Sequence, residues 1–237
     1  TGLLWVFEGI TSYYDDLALV RSGLVPVESY LELVGQTITR VLRGSGRLKQ
    51  TLEESSFDAW TKFYKQDANA SNAIVSYYAK GSLVALALDL KLRSESEDSL
   101  DDVMRECWRR YGQTGEGMPE RGLERVCMEV TGLDLSDFFD ASIRGTGELP
   151  LPRLLARFGV EYHLRSATDS NDKGGKPADA ATVPEVWLGA TLALITTSAL
   201  YHANAWIKTF EDGAIDSLLL WAYSLAPQNV IVRRDAG

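Results

Sequence analysis

Histidine is scarce in this sequence: His163 and His202 are the two in 237 residues. They are far apart, and no His-Glu-x-x-His run occurs, so the chain alone cannot build a helix with two metal-binding imidazoles. Both fall in stretches that read as strand or irregular, and both are expected to be ordinary structural histidines. Cysteine is equally sparse. Cys107 and Cys127 are too few for a disulfide framework, and among helix formers they are expected to be buried free thiols. Positive charge is in deficit, with 24 Lys and Arg against 33 Asp and Glu and a net charge of −9. That argues against nucleic-acid binding, which wants a basic face, and against an anionic membrane surface. Long apolar runs are missing as well. Val186 to Leu200 is shorter than the roughly 20 residues a membrane helix needs and carries several Thr and Ser, so it reads as strand.

What is present is a globular composition, 45% hydrophobic and 10% aromatic, long enough for one large or two small domains. The first informative stretch is Leu4-Trp5-Val6-Phe7-Glu8-Gly9-Ile10-Thr11-Ser12-Tyr13-Tyr14. Trp5, Phe7, Ile10 and Tyr14 can bury against a core, and Asp15 and Asp16 mark where the helix meets water. Glu8 is a lone carboxylate in that run. Taken alone, such a group is ordinarily half-exposed and solvated; the other reading is a side chain held for chemistry.

Helices are expected over residues 3–21, closed by Ser22-Gly23, and again from Pro26 to the Gly44-Ser45-Gly46 stop. A shorter one is expected from Leu52 to Tyr64, with Ser55 or Ser56 as its N-cap and Trp60 packed in the core. Ile74 to Arg93 reads as a long helix whose interior Gly81 calls for a close neighbouring backbone, since glycine there costs about 1 kcal/mol against Ala. Ser99 reads as an N-cap with Asp101 and Asp102 in the first turn. Pro119 is expected to start a helix that Gly132 ends, and Ser136 to Ile143 another. Gly145-Thr146-Gly147 is too short a signal for a nucleotide loop.

Trp5-x-x-Glu8-Gly9-x-Thr11-x-Tyr13-Tyr14 closely resembles the segment that carries the third zinc ligand in gluzincin metallopeptidases, in particular the PDZ-containing glycyl aminopeptidase family. The resemblance continues at Ser55-Ser56-Phe57-Asp58-Ala59-Trp60 and at Ile74-Val75-Ser76-Tyr77-Tyr78-Ala79-Lys80-Gly81, and it covers roughly residues 3–145. It implies that Glu8 is a zinc ligand. It implies that Tyr78, in Tyr-x-Lys-Gly, is the phenol that stabilises the oxyanion, with Tyr77 a neighbour that misses the site. The two imidazoles and the general base would come from a His-Glu-x-x-His helix upstream of Thr1. The chain then reads as the C-terminal part of a zinc aminopeptidase cleaving small N-terminal residues, glycine or alanine, from peptides. Its partners would be the peptide substrate and the upstream part of the same polypeptide. Zinc belongs to the intact enzyme, and neither bound zinc nor activity is expected of this fragment alone. Because a fragment shows no signal peptide, cytoplasm and periplasm both stay open.

The implied fold class is mainly α: residues 1–148 are the helical lobe of a thermolysin-like metallopeptidase. Residues 149–184 hold a short helix, a strand at Val160 to Arg165 and a polar linker. Residues 185–237 read as a small β-rich region that resembles a truncated PDZ-like domain. Trp187-Leu188-Gly189-Ala190 is similar to the turn that receives a peptide carboxylate in PDZ domains, which makes Leu188 and Gly189 candidate peptide-binding residues. Ser224 and Gln228-Asn229 depart from that pattern. A non-catalytic peptide-binding module, or a pseudoenzyme, is the alternative reading.

Overall fold

The organising element of the computed structural model is a helix with no polar side. Ala79–Glu95 is buried without interruption from Ala79 to Asp89, as expected of a helix enclosed by neighbours rather than one lying on a surface. The structure describes residues 1–167, 172–176 and, as backbone, 228–234. In chain order the described helices are α1 (Ile10–Arg21), α2 (Val27–Arg43), α3 (Leu52–Phe57), α4 (Ala70–Ala73), the enclosed α5 (Ala79–Glu95), α6 (Leu100–Cys107), α7 (Gly122–Thr131), α8 (Ser136–Phe139) and α9 (Leu151–Ala156). Strands β1 (Val160–Ser166) and β2 (Gln228–Arg234) form a two-stranded sheet. The mainly helical class is as read from the sequence. Among the described residues no helix is long and apolar enough to cross a membrane.

The chain divides into two compact units. One comprises Thr1–Leu164, Lys173–Lys176 and Asn229–Gly237, and the other Arg165–Asp172 and Pro177–Gln228. Of the second, the described part contains a two-bonded ion pair, Arg165 to Asp172 at 2.6 and 2.9 Å. The candidate peptide-binding residues Leu188 and Gly189, the Val186–Leu200 run and His202 lie outside the described residues.

Several boundaries differ from the sequence reading. The long helix starts at Ala79, not Ile74, because the backbone ahead of it is committed elsewhere. Val75 N–H donates to Gln50 Oε1 at 3.0 Å, and the Val75 carbonyl accepts the Ser55 hydroxyl; Ile74 is accordingly extended. The cap of α3 is Thr51, not Ser55 or Ser56. Thr51 Oγ1 accepts from Glu54 N–H at 3.1 Å while Glu54 Oε2 accepts from Thr51 N–H at 2.9 Å, the reciprocal box that Thr-x-x-Glu encodes. Ser55 and Ser56 turn inward instead, and Ser56 Oγ accepts the buried Trp5 N–H at 3.0 Å. The Pro119 segment makes a turn, with Gly122 N–H on the Pro119 carbonyl, before α7 begins at Gly122. Trp60, expected in the core, is 73% exposed, since α3 ends at Phe57 and Trp60 falls in the turn beyond it. By contrast the Ser99 cap, with its Asp102 box, and the Gly132 stop at φ +69° are where the sequence put them.

A buried polar knot ties three helices together. Asp89 of α5 accepts from Tyr13 of α1 at 2.7 Å, from the Leu100 N–H at the start of α6 at 2.8 Å, and from Arg93 at 3.0 Å. Each donor removes one part of the penalty for burying a carboxylate. Both cysteines are buried free thiols, as expected.

Candidate functional site

Glu8 sits on the π-helical turn Trp5–Gly9, which runs directly into α1. A π-turn inserts one residue into the helical repeat and rotates what precedes it, and such turns recur at functional sites. Trp5 and Val6 point into the core, leaving Glu8 half-buried. The next residue, Gly9, lies against Gly81 of α5. A Cβ built on Gly9 would stand 2.6 Å from Gly81 Cα, and one built on Gly81 would stand 2.9 Å from Gly9 Cα and 3.2 Å from the Trp5 carbonyl oxygen. The two backbones therefore touch with no side chain between them. Gly81 keeps its place for the reason its position in the sequence suggests.

Tyr78 is the residue that caps the entry to α5. It is half-buried, whereas Tyr77 is 1% exposed. The two rings are 4.6 Å apart. Tyr64, from the turn region after α3, closes the cluster: its hydroxyl lies 3.0 Å from the Tyr77 hydroxyl and 3.3 Å from that of Tyr78. Trp60 stacks on the Tyr64 ring at 5.0 Å, and Phe63 packs edge-on at 5.5 Å.

The charges show which groups face one another. Hydrogen bonding to Tyr64 raises the pKa of the Tyr78 phenol, and the negative charge of Glu8 raises it further. Tyr64 is shifted the other way by accepting from Tyr77 and Tyr78, while Glu8 opposes that shift. Burial, followed by its hydrogen bonds, raises Tyr77. The Glu8 charge thus acts on both outer phenols, although acid and phenols come from distant parts of the chain. Together they offer a carboxylate as a hard anionic ligand, and phenolic protons that can be donated to an oxygen gaining negative charge.

Sequence reasoning missed Tyr64. The Trp60, Phe63, Tyr64 spacing reads as the end of a helix, whereas these rings pack on one another beside Tyr77 and Tyr78. His163 lies on β1, half exposed, paired with Glu161 at 3.1 Å. Among the described residues no group of three or more His, Cys, Asp or Glu side chains gathers to hold a metal.

The sequence model of the M61 glycyl aminopeptidase family matches residues 1–84, the span that holds Glu8, Gly9, Tyr64, Tyr77, Tyr78 and Gly81. This segment is similar to M61 glycyl aminopeptidases, in line with the resemblance of its Trp-x-x-Glu-Gly and Tyr-x-Lys-Gly motifs. Among solved structures, the chain is similar to an aminopeptidase N family protein from Idiomarina loihiensis, with 44% identity over 76% of this chain and a TM-score of 0.73. The match takes in 31% of that protein, so the chain spans about a third of its solved relative. No curated protein matches the sequence.

Proposed function

We propose that this chain forms part of the active site of a zinc-dependent aminopeptidase that removes small N-terminal residues, glycine or alanine, from peptides. What supports the reading is that the Glu8 charge acts on the Tyr78 phenol, with both residues inside the segment that matches the glycyl aminopeptidase family. Glu8 contributes one oxygen ligand. Catalytic zinc sites use three protein ligands; by the family resemblance the other two are the imidazoles of a His-Glu-x-x-His helix. When bound, zinc supplies Lewis acidity and a nucleophile at neutral pH.

The chain's own part is electrostatic. Tyr78 keeps its proton, because the Glu8 charge and its hydrogen bond both disfavour the phenolate. A neutral phenol can then donate to the scissile carbonyl oxygen as that oxygen turns anionic, which favours the transition state over the bound substrate. Tyr78→Phe in the full-length polypeptide should lower kcat by about 10²–10³, with the variant still folded. Unchanged kcat/KM on a glycyl or alanyl peptide would remove the basis for the assignment.

A further inference from the structure

We propose that Tyr64 is a positioning residue for Tyr78, supplying the hydrogen bond that orients the Tyr78 hydroxyl toward the reacting oxygen. The proposal rests on the peptidase reading above and adds to it a residue from a separate part of the chain.

Tyr78 needs such help. It stands at the mouth of α5, half-buried; its hydroxyl lies 3.3 Å from that of Tyr64 and also interacts with the Tyr77 hydroxyl. Tyr64 itself is held from three sides: Trp60 stacks on its face at 5.0 Å and 26°, Phe63 meets its edge at 5.5 Å and 89°, and the buried Tyr77 hydroxyl stands 3.0 Å away. Tyr77 is anchored in the core and lines up with Phe63 at 5.0 Å. Orientation therefore passes outward from the core, through Tyr77 and Tyr64, to Tyr78.

A phenol has one proton and can accept as well as donate. With no oxyanion present, Tyr77 and Tyr78 both donate to Tyr64, and the Tyr64 proton is free to face solvent. Once an oxyanion stands before Tyr78, the Tyr78 proton turns to it. Tyr64 then turns its own proton to the Tyr78 oxygen. The three hydroxyls form a chain in one direction, from Tyr77 to Tyr64 to Tyr78 to oxyanion, and each donor polarises the next. No proton changes owner, and no hydroxyl loses a partner.

The test is a double-mutant cycle in the full-length, metal-loaded enzyme. Tyr64→Phe keeps the stacked ring and removes only the hydroxyl. It should lower kcat about tenfold and leave KM within about twofold. The affinity for a phosphinate dipeptide, which mimics the tetrahedral geometry and is measured by calorimetry, should fall by about the same factor as kcat. In a Tyr78→Phe background, Tyr64→Phe should cost nothing more, because the residue it positions is already gone. The proposal fails if Tyr64→Phe leaves kcat unchanged, or if its loss adds fully to that of Tyr78→Phe. If Tyr78→Phe is itself silent, the enclosing peptidase assignment fails instead, and the two failures are told apart by that single variant.

Discussion

Replacing Gly9 by Ala isolates the contact that joins the acid-bearing turn to the phenol-bearing helix. Gly9 has ordinary helical angles, φ −69° and ψ −45°, so an added methyl meets no backbone strain of its own. In an unconstrained helix Gly→Ala stabilises by about 1 kcal/mol. Here the new Cβ would stand 2.6 Å from Gly81 Cα and 2.7 Å from Gly81 C, against the roughly 3.5–4.0 Å at which carbon atoms rest. The obstacle is backbone, so no rotamer change relieves it, and the two helices must part by about 1 Å. Overpacking of this kind costs about 1–3 kcal/mol, and contact with backbone on both sides argues for the upper end. After the propensity gain, the net loss should be about 1–2 kcal/mol, seen as a fall in Tm of several degrees. Gly81→Ala should be milder, since its Cβ stops 2.9 Å from Gly9 Cα and 3.2 Å from the Trp5 carbonyl. Urea unfolding, followed by helical circular dichroism and by the fluorescence of buried Trp5, gives both numbers. In the full-length enzyme Gly9→Ala should lower kcat by more than the unfolded fraction explains, because parting the helices moves Glu8 away from Tyr78. If Gly9→Ala raises the urea midpoint, as in an open helix, the backbone contact is not what it is taken to be here.

Lys80 is 3% exposed, and its Nζ has no hydrogen-bond partner among the described residues. Lys80→Met should therefore stabilise the fold at pH 7, by about 1–3 kcal/mol. Burial depresses the Lys80 pKa, with the Glu148 charge opposing and Arg47 assisting. Between the depressed folded value and the unfolded value the unfolded chain binds more protons, so wild-type stability rises with pH across that window. The advantage of the Met variant should shrink as it does, and a destabilised Met variant at pH 7 would refute the argument. Burial pushes the Cys107 thiol up to about 11 and raises Cys127 as well. Neither should react with a maleimide at pH 8 in the native chain, and both should react in urea; rapid native labelling would show that the thiols are accessible.

Local punctuation made much of the helical unit legible. Ser99 with Asp102 starts a helix and Gly132 after Thr131 stops one, each through bonds made within a few residues. Ile74 to Tyr78 misled because a helical apolar pattern does not reveal that Gln50 and Ser55 have claimed the Val75 backbone. Trp60 misled for a related reason: bulk and hydrophobicity argue for the core, but α3 ends three residues earlier, and the ring stacks on Tyr64 in the open. Glu8 and Tyr78 are singled out in the sequence only by the motifs around them. Nothing in the sequence singles out Tyr64, because where its hydroxyl comes to rest depends on the fold.

Two interruptions of regular helix set the geometry of the site. Residues Trp5–Gly9 depart from the α repeat into a π-turn, and α5 starts late because the segment before it is bonded to Gln50 and Ser55. An unbroken helix through Ile74–Glu95 would take the Val75 carbonyl from Ser55 and carry Tyr77 and Tyr78 around its axis at about 100° per residue. The extended approach instead sends Tyr77 inward and leaves Tyr78 at the rim, beside a helix pinned at Gly81 against the residue that follows Glu8. Side-chain hydrogen bonds and a glycine contact, rather than the apolar pattern, thus fix both breaks.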